Sequence, residues 1–382
     1  MTVSNKHLHR STKSLVIALL VVLAGLLVAT PRATANAFRP VAFTPLMLTR
    51  ANSSNVVYVV GSVKCSNVLC LRLLRTSDNG AHFETASLPP IPANPESSTG
   101  MLDELVFANA NDGYSLVGGG NSAKGYNPPS LLYATLNGAR TWHQERIAAG
   151  VGIFAFEASA HEIYAVTAHC VGTELPCQNF RLDRSALSTK KWTEGAIPGY
   201  SAGLELGLFG AYGSDVWLDV SQHGRVDTSH NDGKTFTQRV HRNFGSPGTC
   251  DLTATSASTL WARCPTGMMA DFFFSRDGGV RWSTIPVGLY SNTGGGTFDP
   301  VSSTLAYLDY GQSMETPGLY RITRAGRDLV DVGKLPCASV ESFVFTDQAH
   351  GLALCLKSAA PSSAQLVQTS DGGASWHRVL TA

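Results

Sequence analysis

Three octets in this chain hold a carboxylate in the same frame: "TSDNGAHF" (76–83), "SRDGGVRW" (275–282) and "TSDGGASW" (369–376). Asp78, Asp277 and Asp371 each stand two residues after a hydroxyl and two before a glycine. A carboxylate beside a hydroxyl could do general acid–base work, and paired carboxylates are the machinery of glycoside hydrolysis. Such chemistry needs one site, whereas this chain repeats the pattern. The recurrence points to a structural unit.

Two degraded copies share the frame, "TLNGARTW" (135–142) and "SHNDGKTF" (229–236), and two vestiges do too, "SALSTKKW" (185–192) and "TRAGRDLV" (323–330). The seven opening hydroxyls are 59, 50, 44, 46, 48 and 46 residues apart. Each interval holds four short β-rich runs, such as "ELVFAN" (104–109), "DVWLDV" (215–220), "DFFFS" (271–275) and "WHRVL" (376–380), with Gly, Pro and Asn at the joins. Four strands per repeat of this length is the signature of propeller blades. The expected fold is an all-β, seven-bladed β-propeller of four-stranded antiparallel blades over residues 38–382. Its blades lie near 42–90, 101–148, 149–198, 202–241, 247–287, 294–336 and 337–382.

In that frame the motif is the turn between third and fourth strands. Its hydroxyl and carboxylate or amide (Thr76/Asp78, Thr135/Asn137, Ser229/Asn231, Ser275/Asp277, Thr369/Asp371) bond the turn's own backbone. Gly80, Gly233, Gly279 and Gly373 supply positive φ, and Phe83, Trp142, Trp192, Phe236, Trp282 and Trp376 bury between blades.

The pattern [ST]-x-D-x-G-x-[ST]-[WF] resembles the Asp-box (BNR) repeat over nearly the whole chain after residue 37. The resemblance is closest to propellers of the photosystem II assembly-factor and sortilin types, and more distant to sialidases. It implies a propeller but no particular activity. Sialidases carry [FY]-R-I-P ahead of the first blade; Phe38-Arg39-Pro40 falls there without the Ile. Sialidases also have six blades, and seven repeats stand here. The sequence has no H-E-x-x-H, Walker or EF-hand pattern. No catalytic residue, metal or cofactor is therefore assigned. The expected function is a secreted, non-catalytic binding or assembly module for a protein or glycan ligand; the alternative is a glycoside hydrolase, sialidase-like or another exo-glycosidase.

Inner strands aligned on Phe107, Phe209 and Phe345 put Asp103, Glu205 and Glu341 four residues earlier, at one channel mouth. Three carboxylates there would attract a cation or a basic partner segment. This mouth, opposite the Asp-box turns, is the expected ligand site.

Residues 1–37 read as a signal peptide: Lys6, Arg10 and Lys13 precede the apolar run 15–29, and "ATANA" offers cleavage after Ala35 or Ala37. An uncleaved anchor is the alternative. Export makes the eight cysteines disulfide candidates, and the blade register pairs Cys65–Cys70, Cys170–Cys177, Cys250–Cys264 and Cys337–Cys355, each within one blade. The expected location is secreted or extracytoplasmic in the cell envelope, with no stable membrane span after cleavage. The net charge of +1 includes four basic and no acidic residues in 1–35. The remainder is mildly acidic, which excludes the basic footprint of a nucleic-acid binder. A monomer is expected. The first and last repeats each own four strands, so the blades should be contiguous in sequence, and loss of 38–43 should cost little stability.

Overall fold

The computed structural model describes residues 43–380 apart from 53, 66–67, 92–101, 119, 123–124, 128–130, 148–150, 170–177, 188, 190, 198–208, 220–224, 241–249, 267–268, 287–296, 311–317 and 358–363. The expected leader, residues 1–37, and the expected Cys170–Cys177 pair lie outside the described residues. Among the described residues no helix is long and apolar enough to cross a membrane.

Seven four-stranded antiparallel sheets follow one another along the chain, with a two-stranded hairpin, Gly120–Ser122 and Gly125–Asn127, inserted in the second. The first sheet is Thr44–Arg50, Val57–Cys65, Val68–Thr76 and Glu84–Ala86; the last is Ser339–Phe345, Gly351–Leu356, Ala364–Thr369 and His377–Leu380. Among the described residues neither borrows a strand from the other, and the ring closes through side chains: apolar packing, Arg50 on Phe345 O, and Thr346 Oγ1 donating to Asn79 Oδ1 at 2.9 Å. The sequence dictates these sheets through alternation. Val57, Val59, Leu74 and Leu48 face one neighbour, while Tyr58, Val60 and Leu73 face the other, as the two-residue period of a strand requires. Seven apolar clusters result, one per blade interface.

One residue near the start of the second strand ties blade to blade. Tyr58 Oη donates to Ala110 O (3.1 Å), Trp217 Nε1 to Gly278 O (2.9 Å), Trp261 Nε1 to Ser302 O (3.2 Å) and Tyr307 Oη to Gln348 O (2.7 Å). Every acceptor lies on a turn of the next blade. Tyr58 and Tyr307 also stack on Phe107 and Phe345 across those interfaces, with ring centroids 3.6 and 3.5 Å apart. A ring that is apolar on its body and polar at its tip suits a position that is buried against the neighbour yet reaches a turn.

The motif aromatics do sit at the interfaces, but only Trp282 is fully buried; Phe83, Trp142, Trp192, Phe236 and Trp376 are half-buried. In blade 6 the vestigial motif puts Val330 at the closing position, where it is exposed, and Leu329 packs inward in its place.

Three of the expected disulfides are present: Cys65–Cys70, Cys250–Cys264 and Cys337–Cys355, with Cα atoms 5.8, 4.1 and 5.2 Å apart. Each lies within one blade: Cys65–Cys70 joins two neighbouring strands, and the other two tie a residue just ahead of the first strand, Cys250 or Cys337, to the second strand. The expectation for 38–43 needs correction at its last residue. Phe43 is completely buried against Leu352, Leu366 and Leu380, at the seam between the first and last blades.

Candidate functional site

The motif turns fix which end of the ring is which. In each good copy the hydroxyl donates to the Asp carboxylate, at 2.8 Å for Thr76/Asp78, 3.0 Å for Ser275/Asp277 and 2.8 Å for Thr369/Asp371. The same hydroxyl accepts the glycine N–H at 2.9 Å from Gly80, Gly279 and Gly373. Asn137 and Asn231 reproduce this arrangement with amide oxygens, accepting from Thr135 (3.1 Å) and Ser229 (2.9 Å). Hydrogen bonds from Ser375, with help from Thr369, hold the Asp371 carboxyl down at about 2. A group that acidic is a permanent acceptor, and its role is to close a turn.

The turn then docks on the hairpin between the first and second strands. Gly138 N donates to Asn111 O, Asp232 N to Ser214 O, Gly278 N to Ser258 O and Gly372 N to Ala349 O, all at 2.8–2.9 Å. Motif turns and first-hairpin turns therefore share one face. The starts of the inner strands mark the other.

At the strand-start mouth, Asp103 and Glu341 occupy one register position, as the alignment requires. Each is the extra residue of a β-bulge, between Leu102 and Glu104 and between Val340 and Ser342. Leu46 and Phe154 are the bulge residues at that position in blades 1 and 3. Blades 7, 1, 2 and 3 are consecutive, so Glu341, Leu46, Asp103 and Phe154 form an arc that alternates acidic and apolar. Asp103, Glu341 and Leu46 are exposed, Leu46 by 44%, and Phe154 is half-buried.

Glu205 lies outside the described residues. Its alignment through Phe209 is displaced by two, however. Gly210 pairs with Trp217 as Val106 pairs with Tyr114 and Val344 with Leu352. Phe209 thus matches Leu105 and Phe343.

Two carboxyls that motif reading missed sit deeper on neighbouring inner strands, Glu104 in blade 2 and Glu157 in blade 3. Burial, reinforced by the charges of Glu157 and Asp103, pushes Glu104 up to about 8. Burial likewise pushes Glu157 up to about 7, against one hydrogen bond from Ala158 N. Neither makes an ion pair among the described residues. Across the ring, Asp299 is matched: Arg50 Nη2 lies 3.3 Å from its carboxylate, and Phe345 N donates to it at 2.5 Å.

The hairpin-face mouth opens into a cavity of about 930 Å³ to which all seven blades contribute, including Asn52, Asn111, Ser159, Tyr212, Thr255 and Thr346. Arg50, on the same wall, also donates to the carbonyls of Pro300 (3.1 Å) and Phe345. This cavity is thus at the face opposite the expected one. Smaller clefts of about 430 and 420 Å³ lie at the rim beside the motif turns of blades 5 and 2.

No protein-family model matches the sequence, and no curated protein is found as its relative. Solved structures do match. The YCF48 protein from Cyanidioschyzon merolae superposes with a TM-score of 0.50 at 13% identity, over 77% of this chain and 88% of that one. A puromycin-hydrolyzing peptidase of Mycobacterium tuberculosis gives 0.55 at 12% identity, over 92% of this chain and 55% of that one. The GH74 enzyme of Niastella koreensis gives 0.38 at 11%, over 88% of this chain and 65% of that one. The shared property is the propeller fold. At such identities no site residue transfers from any of them.

Proposed function

We infer that the protein is an exported, non-catalytic Asp-box propeller that binds a protein partner through its strand-start mouth. The observation that carries this reading is the arc Glu341, Leu46, Asp103 and Phe154, with Glu104 and Glu157 behind it. Bulges aim side chains off the ladder, and four at one register make a designed edge. Alternating carboxylates and apolar groups complement an extended segment in which Lys or Arg alternates with apolar residues. Three disulfides in the described chain support an oxidising, extracytoplasmic location.

Cation binding favours ionised carboxyls, so the affinity for such a segment rises with pH until Glu104 and Glu157 have both lost their protons. The experiment is titration of a synthetic peptide of alternating Lys and Leu against the protein and against an Asp103→Asn/Glu341→Gln variant. The reading expects binding that weakens with salt, tightens from pH 6 to pH 8.5, and drops by about tenfold in the variant. Equal affinity for both proteins would remove this mouth from the function.

The pair Glu104 and Glu157 also favours a second reading, a glycoside hydrolase, because one carboxyl raised near neutrality is what a general acid requires. Turnover of a fluorogenic glycoside that disappears in Glu104→Gln or Glu157→Gln would establish that activity in place of the binding module.

A further inference from the structure

We propose that the cavity on the hairpin face is a second binding site, for a neutral polyhydroxylated ligand of oligosaccharide type. Its volume of about 930 Å³ falls in the range of small-ligand pockets, and its place on the ring axis gives it walls from every blade. Small residues at the inner-strand ends, Ala158, Ala211 and Ala254, are part of its lining.

The chemistry of the wall selects the ligand. The cation in it is already matched within the protein. Arg50 is held by Asp299 and two carbonyls, and the Asp112 carboxylate accepts from Asn109 Nδ2 at 2.8 Å. An anionic ligand would give up its hydration without gaining a counter-ion there. What the wall offers instead is amide and hydroxyl groups, which both donate and accept, as do sugar hydroxyls. Tyr212, exposed by 43% at a hairpin tip, adds an aromatic face for the apolar side of a sugar ring. The site shares no residue with the acidic arc, so the two readings stand or fall separately.

The test is calorimetric titration of maltotriose, cellotriose and chitotriose into the wild type, Ala160→Trp, Tyr212→Ala and Asp103→Asn/Glu341→Gln. Ala160 is an exposed lining residue, so a Trp there fills the mouth without entering the core. The expected result is saturable binding of at least one trisaccharide, weakened by about tenfold or more in Ala160→Trp and several-fold in Tyr212→Ala, but unchanged in the double variant. Thermal melting checks that each variant is folded. Absence of binding by all three sugars at millimolar concentration would overturn the proposal, as would equal affinity in wild type, Ala160→Trp and Tyr212→Ala. Displacement of a bound neutral peptide by the Ala160→Trp change, without any sugar binding, would reassign the cavity to a protein ligand.

Discussion

At position 373 a methyl group has nowhere to go. Gly373 has φ of +97°, and a Cβ built on it would run into Leu319 of the preceding blade. The glycine serves two purposes there, a left-handed backbone and close approach of two blades. Gly373→Ala should therefore cost about 2–4 kcal/mol, the left-handed penalty plus overpacking. Gly213, at φ +59° with open space around it, carries only the first penalty, and its change to Ala should cost about 1 kcal/mol. Urea unfolding of the two variants separates the contributions; equal losses would mean that the blade contact contributes nothing. The motif made this legible, because hydroxyl, acid and glycine at fixed spacing name a turn without any tertiary knowledge. It was less legible in "TLNGARTW", where the glycine moves to 138 and Ala139 takes φ of +61° with its methyl completely buried. Packing there tolerates a conformation that local rules forbid. Glu104 and Glu157 were not legible at all, since an isolated Glu in a strand pattern reads as a solvated position until its neighbours are known.

At the scale of the element, strands were readable and their register was not. Alternation of period two says which residues share a face, but it looks the same after a shift of two. That is why Phe209 could be matched to Phe107 and Phe345 when the pairing Gly210 with Trp217 sets it beside Leu105 and Phe343. The four bulges were hidden for the same reason: a bulge is one unpaired residue, visible only against its partner strand. The seam between the first and last blades shows a related gap. With no shared strand, closure depends on side chains that cross it, and Phe43 is the one that enters from outside the strand pattern. Phe43→Ala should cost about 3–5 kcal/mol as a core truncation, and loss of 38–43 should cost at least as much. Guanidinium unfolding checks it; a loss below 1 kcal/mol would show that the seam collapses around the vacancy. Tyr307→Phe removes the hydroxyl's bond to Gln348 O and its interaction with Arg321 while keeping the stack on Phe345, so it should cost about 1 kcal/mol.

At the scale of the whole ring, several carboxyls are buried without counter-charges, and their sum governs how stability depends on pH. Burial raises Glu104 to about 8, Glu157 and Asp309 to about 7, and Asp219 to about 6. Each is higher than in an unfolded chain, so between the two values the native state holds more protons than the unfolded one. The slope of stability with pH is then negative. What these groups contribute declines from the ordinary carboxylate range upward, and each one's share is spent once pH has passed its raised value, at about 6, 7 and 8. Asp371, held low, acts in the opposite sense, but its contribution is lost only in strong acid, outside that window. Thermal melts should accordingly give a Tm several degrees higher at pH 5.5 than at pH 8.5, at constant ionic strength. Asp309 is the cleanest probe, because it is 5% exposed, its Oδ1 has no hydrogen-bond partner, and burial alone raises it. Asp309→Asn cannot ionise, so it should remove about 2 kcal/mol of the decline over that interval. A Tm that rises or stays flat from pH 5.5 to pH 8.5 in the wild type would mean that these carboxyls find water or cations in solution, and the channel would have to be more open than its packing implies.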